Sequence, residues 1–96
     1  METENYIPLM TLSTNYQVEM SFFNSLGDIG LIEITTIEQS LYIHKDKIND
    51  VEKMIRMHHE LDINIEGIDV IFNLLGKIHE LQKELTAAKN RLGLYE

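Results

Sequence analysis

The sequence predicts a mainly α fold in which a helix-turn-helix leads into a small β-ribbon and then a long C-terminal dimerisation helix. Three observations carry that prediction. Short stretches of helically spaced apolar residues flank a tight turn at Gln17 and Val18. A run rich in β-branched and aliphatic residues follows, from Leu31 to Ile43. From Lys45 the pattern is helical again, and from Ile71 onward it is an unbroken heptad seam.

The first helix is expected over Pro8 to Asn15. Pro8 suits a first turn, where its missing N–H costs nothing, and Leu9, Leu12 and Tyr16 share one face. The second helix is expected from about Glu19 to Ile29, with Phe22, Leu26 and Ile29 as its apolar face. Gly30 stands where a left-handed residue closes a helix. Leu31 to Thr35 and Ser40 to Ile43 form the ribbon, although the Thr36 to Gln39 connection holds no Gly, Pro or Asn. Apolar residues fall on both faces of each strand: Ile32 and Ile34 oppose Leu31, and Leu41 and Ile43 oppose Tyr42. A ribbon apolar on both sides cannot bury everything on one small core, so some of it is expected to form a contact surface.

Lys45 to Leu61 reads as an amphipathic helix. Ile48, Val51, Ile55 and His58 lie along one stripe with Met54 beside them, and Asp46 and Asp50 suit the N-terminal end. Asp62 to Asn64 interrupts it, and Asn64 is a good cap for a last helix from about Ile65 to Leu92. Ile68, Phe72 and Leu75 form one stripe at the start of that helix, suited to core packing. Ile71, Leu74, Ile78, Leu81, Leu85, Ala88 and Leu92 form a second, spaced 3, 4, 3, 4, 3, 4. That spacing is an a/d seam, and a second copy of the chain is its simplest cover, which predicts a coiled-coil homodimer. The expected organisation is one domain, with residues 1–64 as the winged helix-turn-helix-like part and 65–96 as the packing and dimerisation helix.

Charge narrows the function. Net charge is −8 from 8 basic and 16 acidic residues. Residues 1 to 44 hold six acids (Glu2, Glu4, Glu19, Asp28, Glu33 and Glu38) and no Lys or Arg. Scattering the basic residues at random would leave that stretch empty under about one time in a hundred. A helix-turn-helix that grips DNA does so chiefly through Lys and Arg on phosphates. The pattern therefore argues against nucleic acid and for a protein partner with a basic face. Cysteine is absent, no apolar run approaches a membrane span, and the N-terminus lacks a signal-peptide shape, so a cytoplasmic protein is expected.

Little in the chain suggests catalysis. No Gly-rich phosphate loop and no nucleophile with a base beside it is recognisable. Adjacent His58 and His59 point about 100° apart on a helix, so they cannot share a metal. His58 reads better as the edge of an apolar stripe, and His79 as a solvent-facing residue beside the seam. No enzyme, cofactor or metal is expected.

Two short helices, a ribbon, two longer helices and a dimerising last helix resemble the MerR-like helix-turn-helix superfamily over nearly the whole chain. MerR-type DNA binders carry Arg-Tyr-Tyr-Glu-x-x-Gly-Leu leaving the second helix. Here that stretch reads Asn24-Ser25-Leu26-Gly27-Asp28-Ile29-Gly30-Leu31, which keeps the Gly-Leu closure and lacks the Arg and both Tyr. Leu41 stands where those proteins place an Arg in the second ribbon strand. The segments Leu26 to Ile34, Met54 to Asp69 and Asn90 to Glu96 more closely resemble the CbpM family of chaperone modulatory proteins.

That resemblance implies binding to the J-domain of a DnaJ-like co-chaperone of the CbpA type, blocking its contact with the Hsp70 partner DnaK. Placement on the second helix and ribbon nominates Asp28, Glu33 and Glu38 as steering acids, with Leu41 and Tyr42 as apolar anchors. The competing expectations are a MerR-like transcription regulator, which needs the missing basic residues, and a structural or antitoxin-like dimer assembling through the last helix.

Overall fold

A computed structural model describes residues 4–93, which fall into two compact units divided between Ile65 and Glu66. The first unit contains a three-stranded antiparallel sheet and three α-helices; the second is the bulk of a single helix.

The chain enters as strand β1 (Tyr6–Pro8), unforeseen from the sequence because it is three residues long and ends in proline. Its place at a sheet edge is where a residue without an N–H is tolerated. Pro8 then caps helix α1 (Leu9–Tyr16) from outside, with extended backbone, instead of lying within its first turn. Leu9 and Leu12 are buried, and Gln17 closes the helix in the left-handed conformation at φ 55°. The Ser13 carbonyl accepts the Val18 N–H at 3.0 Å there.

Helix α2 spans Met20–Asp28. Its buried face is Phe22, Phe23 and Leu26, whereas Ile29, expected on that face, is 45% exposed. The helix has ended by then, so helical spacing no longer predicts where Ile29 points. Gly30, at φ 82°, completes the closure. The Leu31 N–H donates to Leu26 at 2.9 Å, and the Gly30 N–H to Gly27 at 3.1 Å. This is a Schellman motif, and it needs the positive φ that glycine adopts without cost.

The first ribbon strand does not run over Leu31 to Thr35. Strand β2 is Thr35–Ile37, pairing with β3 (Ser40–His44) in the register Thr35↔Tyr42, Thr36↔Leu41, Ile37↔Ser40. Residues 31–34 are irregular because packing claims them: Ile32 is buried, and a Cβ on Gly27 would stand 2.9 Å from the Ile34 side chain. The loop is Glu38 and Gln39 alone, with φ 48° and 68°. Both central residues having positive φ makes a type I′ hairpin turn, built here without the usual Asn-Gly. Strand β3 is central, with β1 on its other edge in the register Tyr6↔His44, Ile7↔Ile43, Pro8↔Tyr42.

The helix expected from Lys45 begins instead as a 3-10 turn over Lys45–Lys47, whose Asp46 N–H donates to His44 Nδ1 at 3.1 Å. Helix α3 proper is Ile48–Leu61, with Val51, Met54 and Ile55 buried as the stripe requires. Asp62, at φ 58°, ends it, and the Ile63 N–H donates to the Met57 carbonyl at 3.0 Å. Helix α4 runs Ile65–Gly93, directly after Asn64. Ile68 is buried and Ile71 and Phe72 are half-buried; from Asn73 to Gly93 every residue except Ala88 is exposed. No helix of the described residues is long and apolar enough to cross a membrane.

Candidate partner-binding surface

Helix α2 is the second helix of the helix-turn-helix, the position from which such motifs reach into a groove. Its exposed side chains include Ser21, Asn24 and Asp28, and none of its residues is basic. The acids nominated from the sequence are all at the surface. Asp28 closes α2, Glu33 lies in the irregular segment, and Glu38 occupies the hairpin tip.

Leu41 and Tyr42 are both half-buried, but β3 sends them to opposite faces. Leu41 shares its face with its cross-strand partner Thr36 and with Ile43, which is 1% exposed. Tyr42 shares the other with Thr35 and Pro8 across the two strand pairs, and with His44. On that second face the Tyr6 and His44 rings meet edge to face at 5.2 Å. One flat contact therefore cannot engage Leu41 and Tyr42 equally.

Among the described residues, the first unit has clefts on two sides. One, of about 380 Å³, includes Leu31, Ile32, Glu33, Lys47, Asp50 and Val51 in its walls. It brings Glu33 alongside Asp50, a residue that the sequence suggested only as a helix-end charge. The signal that could have found Asp50 was absent, because 17 positions separate the two acids and only the fold closes that gap.

The other cleft, of about 450 Å³, lies at the turn between α1 and α2 and the end of α3, with Glu19, Phe22, Ser25, His58 and His59 among its walls. His58 stacks on Phe22 with ring centres 4.6 Å apart, and its Nδ1 lies 3.2 Å from the Ile63 carbonyl. Donating there, the ring ties the residues after α3 to α2, a packing role for His58. Among the described residues no three His, Asp or Glu side chains are grouped so as to hold a metal ion.

Beside this region the Tyr16 hydroxyl donates to the Glu52 carboxylate, linking α1 to α3. That hydrogen bond, with smaller contributions from burial and the carboxylate's charge, holds the Tyr16 phenol above its ordinary range; Arg56 opposes the shift.

In the second unit, Leu74, Ile78, Leu81, Leu85 and Leu92 of the seam are between 48% and 65% exposed. Ile71 and Ala88 are half-buried. The seam is thus a continuous apolar stripe along α4.

The profile described as MerR HTH family regulatory protein matches residues 7–90, from β1 to near the end of α4. No curated protein and no solved structure matches the chain.

Proposed function

This chain belongs to the MerR HTH family of regulatory proteins, and from that premise we propose that it regulates by holding a protein and not a duplex. It is a non-enzymatic, cytoplasmic chaperone modulator of the CbpM type. It captures the J-domain of a DnaJ-like co-chaperone and keeps that domain from Hsp70. The observation that carries this proposal is the charge of the helix-turn-helix: residues 1 to 44 contain no Lys or Arg, and the exposed side of α2 offers Ser21, Asn24 and Asp28. Duplex affinity rests on neutralising phosphates, which such a surface cannot do.

The same surface suits a basic partner. Asp28, Glu33 and Glu38 supply long-range attraction, which raises the rate of encounter more than the final affinity. Apolar groups beside the acids, Leu41 or Tyr42 according to which sheet face is used, supply the desolvated contact. A J-domain that meets Hsp70 through a basic helix would then be occupied on the side it needs. Two copies of the chain, joined along Ile71, Leu74, Ile78, Leu81, Leu85, Ala88 and Leu92, present two such surfaces.

The test is a calorimetric titration of the protein with a J-domain from the same cell at low and moderate salt. Binding that weakens with salt, and is lost in Glu33→Lys/Glu38→Lys while the circular dichroism spectrum is unchanged, is the expected result. Unchanged binding in that variant removes these acids from the site. No J-domain binding, together with duplex binding that falls steeply with salt, replaces the proposal with transcriptional regulation.

A further inference from the structure

The smaller of these two clefts combines apolar and acidic walls. Its floor includes half-buried Leu31 with buried Ile32 and Val51, and its rim carries exposed Glu33 and Asp50. Lys47 also lines the cleft, so its walls hold two acidic residues and one basic one. Neither carboxylate is held in an ion pair among the described residues. An apolar slot bordered by free carboxylates matches a side chain with an aliphatic stem and a cationic head, because the stem loses water on the floor while the head remains hydrated and paired.

We propose that this cleft receives one lysine or arginine side chain of the protein partner, its stem against Leu31 and Val51 and its head between Glu33 and Asp50. The inference rests on the proposed capture of a basic protein and adds a fixed point of registration to it. The surface acids attract the partner from a distance; the cleft decides where the partner's basic helix stops. It also explains a role for the irregular 31–34 segment. A regular strand there would pair along its edge, whereas the bent segment lets both Leu31 and Glu33 line the cleft.

Two probes separate the cleft from the identity of the partner. Butylguanidinium, an isolated stem and head, is titrated into the full chain while amide shifts are followed by NMR. A J-domain is titrated separately. Shifts concentrated at Leu31, Glu33, Asp50 and Val51, and abolished in Glu33→Gln/Asp50→Asn, are the expected result. In that variant J-domain binding at low salt should weaken roughly fivefold, the range of two partly exposed charge pairs. Both substitutions are at exposed positions, so the fold is retained. If butylguanidinium moves these amides but no J-domain binds, the cleft stands and the J-domain proposal fails. If butylguanidinium leaves them unmoved, or moves them equally in the variant, the cleft proposal is overturned whether or not the J-domain binds.

Discussion

The core of the first unit and the heptad stripe of α4 beyond Phe72 treat their apolar residues in opposite ways, while Ile68 at the start of α4 is buried. In residues 4–65, Leu9, Phe23, Leu26, Ile43, Val51 and Met54 are each under 2% exposed. In residues 66–93, Leu74, Ile78, Leu81, Leu85 and Leu92 stand 48% to 65% exposed, although they are just as regularly spaced. Periodicity is therefore evidence that a face will be buried, and silent about what buries it. In the first unit the cover is other parts of the same chain. In the second, the heptad stripe is exposed, which is the physical ground for the proposed homodimer.

The sharpest way to break this contrast is to truncate one residue on each side of it. Phe23→Ala leaves a cavity in a filled core and should cost about 3–5 kcal/mol, enough to unfold a small domain. Leu81→Ala should leave the stability of the monomeric chain unchanged and lower the midpoint only at concentrations where the chain associates. Chemical denaturation followed at several protein concentrations distinguishes the two. Equal losses at all concentrations for both variants would remove the distinction between the units.

The next largest effect concerns the seam as a whole. Leu81→Lys/Leu85→Lys should convert a dimer to a monomer in sedimentation equilibrium and abolish the concentration dependence of Tm. A wild-type chain that sediments as a monomer at tens of micromolar, on the order of typical assay concentrations, would withdraw the homodimer.

A smaller test lies in the hairpin. Glu38 and Gln39 both sit at positive φ, where a residue with a Cβ is strained by about 1 kcal/mol. Glu38→Asn/Gln39→Gly installs the pair that the type I′ turn favours and should stabilise the first unit by about 1 kcal/mol. If Glu38 contacts the partner, the same variant should bind it less well. Improved stability with unchanged binding would assign the tip to folding alone.

The smallest effect is expected at Tyr16. Its phenol is held above the usual range by the hydrogen bond to Glu52, so the folded state favours the protonated form. The sign follows directly: this contribution is complete below the ordinary tyrosine value near 10 and is lost as pH rises through the higher folded-state value. Tyr16→Phe should cost about 1 kcal/mol at pH 7 and remove a late-titrating phenol from the ultraviolet titration. Loss of a phenol that titrates at the ordinary value near 10 would exclude the α1–α3 link in solution.

Much of the fold was legible in the sequence. Both short helices, the Gln17 turn, the Gly30 closure and the buried stripe of α3 follow from spacing and from the few residues that tolerate special backbone angles. The remaining differences have separate physical causes. Leu31 to Ile34 has strand composition, but Ile32 is drawn into the core and Ile34 lies against Gly27, so pairing begins only at Thr35. Strand β1 has almost no sequence signal, since its pairing is supplied by β3. Ile29 continues the apolar spacing of α2, but the helix ends at Asp28, so that spacing no longer sets its direction. Among the site residues, the exposure of Asp28, Glu33 and Glu38 was foreseeable from charge, whereas the separation of Leu41 from Tyr42 required knowing which face of β3 covers Ile43.

Sequence alone determined the helical periods, the basic-free first half and the heptad seam, because each is a property of residue order that no packing can alter. Tertiary structure alone decided that Glu33 and Asp50 share a cleft, that the hairpin turns at Glu38 and Gln39, and that a third strand completes the sheet. Those features depend on contacts between segments distant in the chain, and such contacts are chosen by the packing of the whole unit rather than by any local preference.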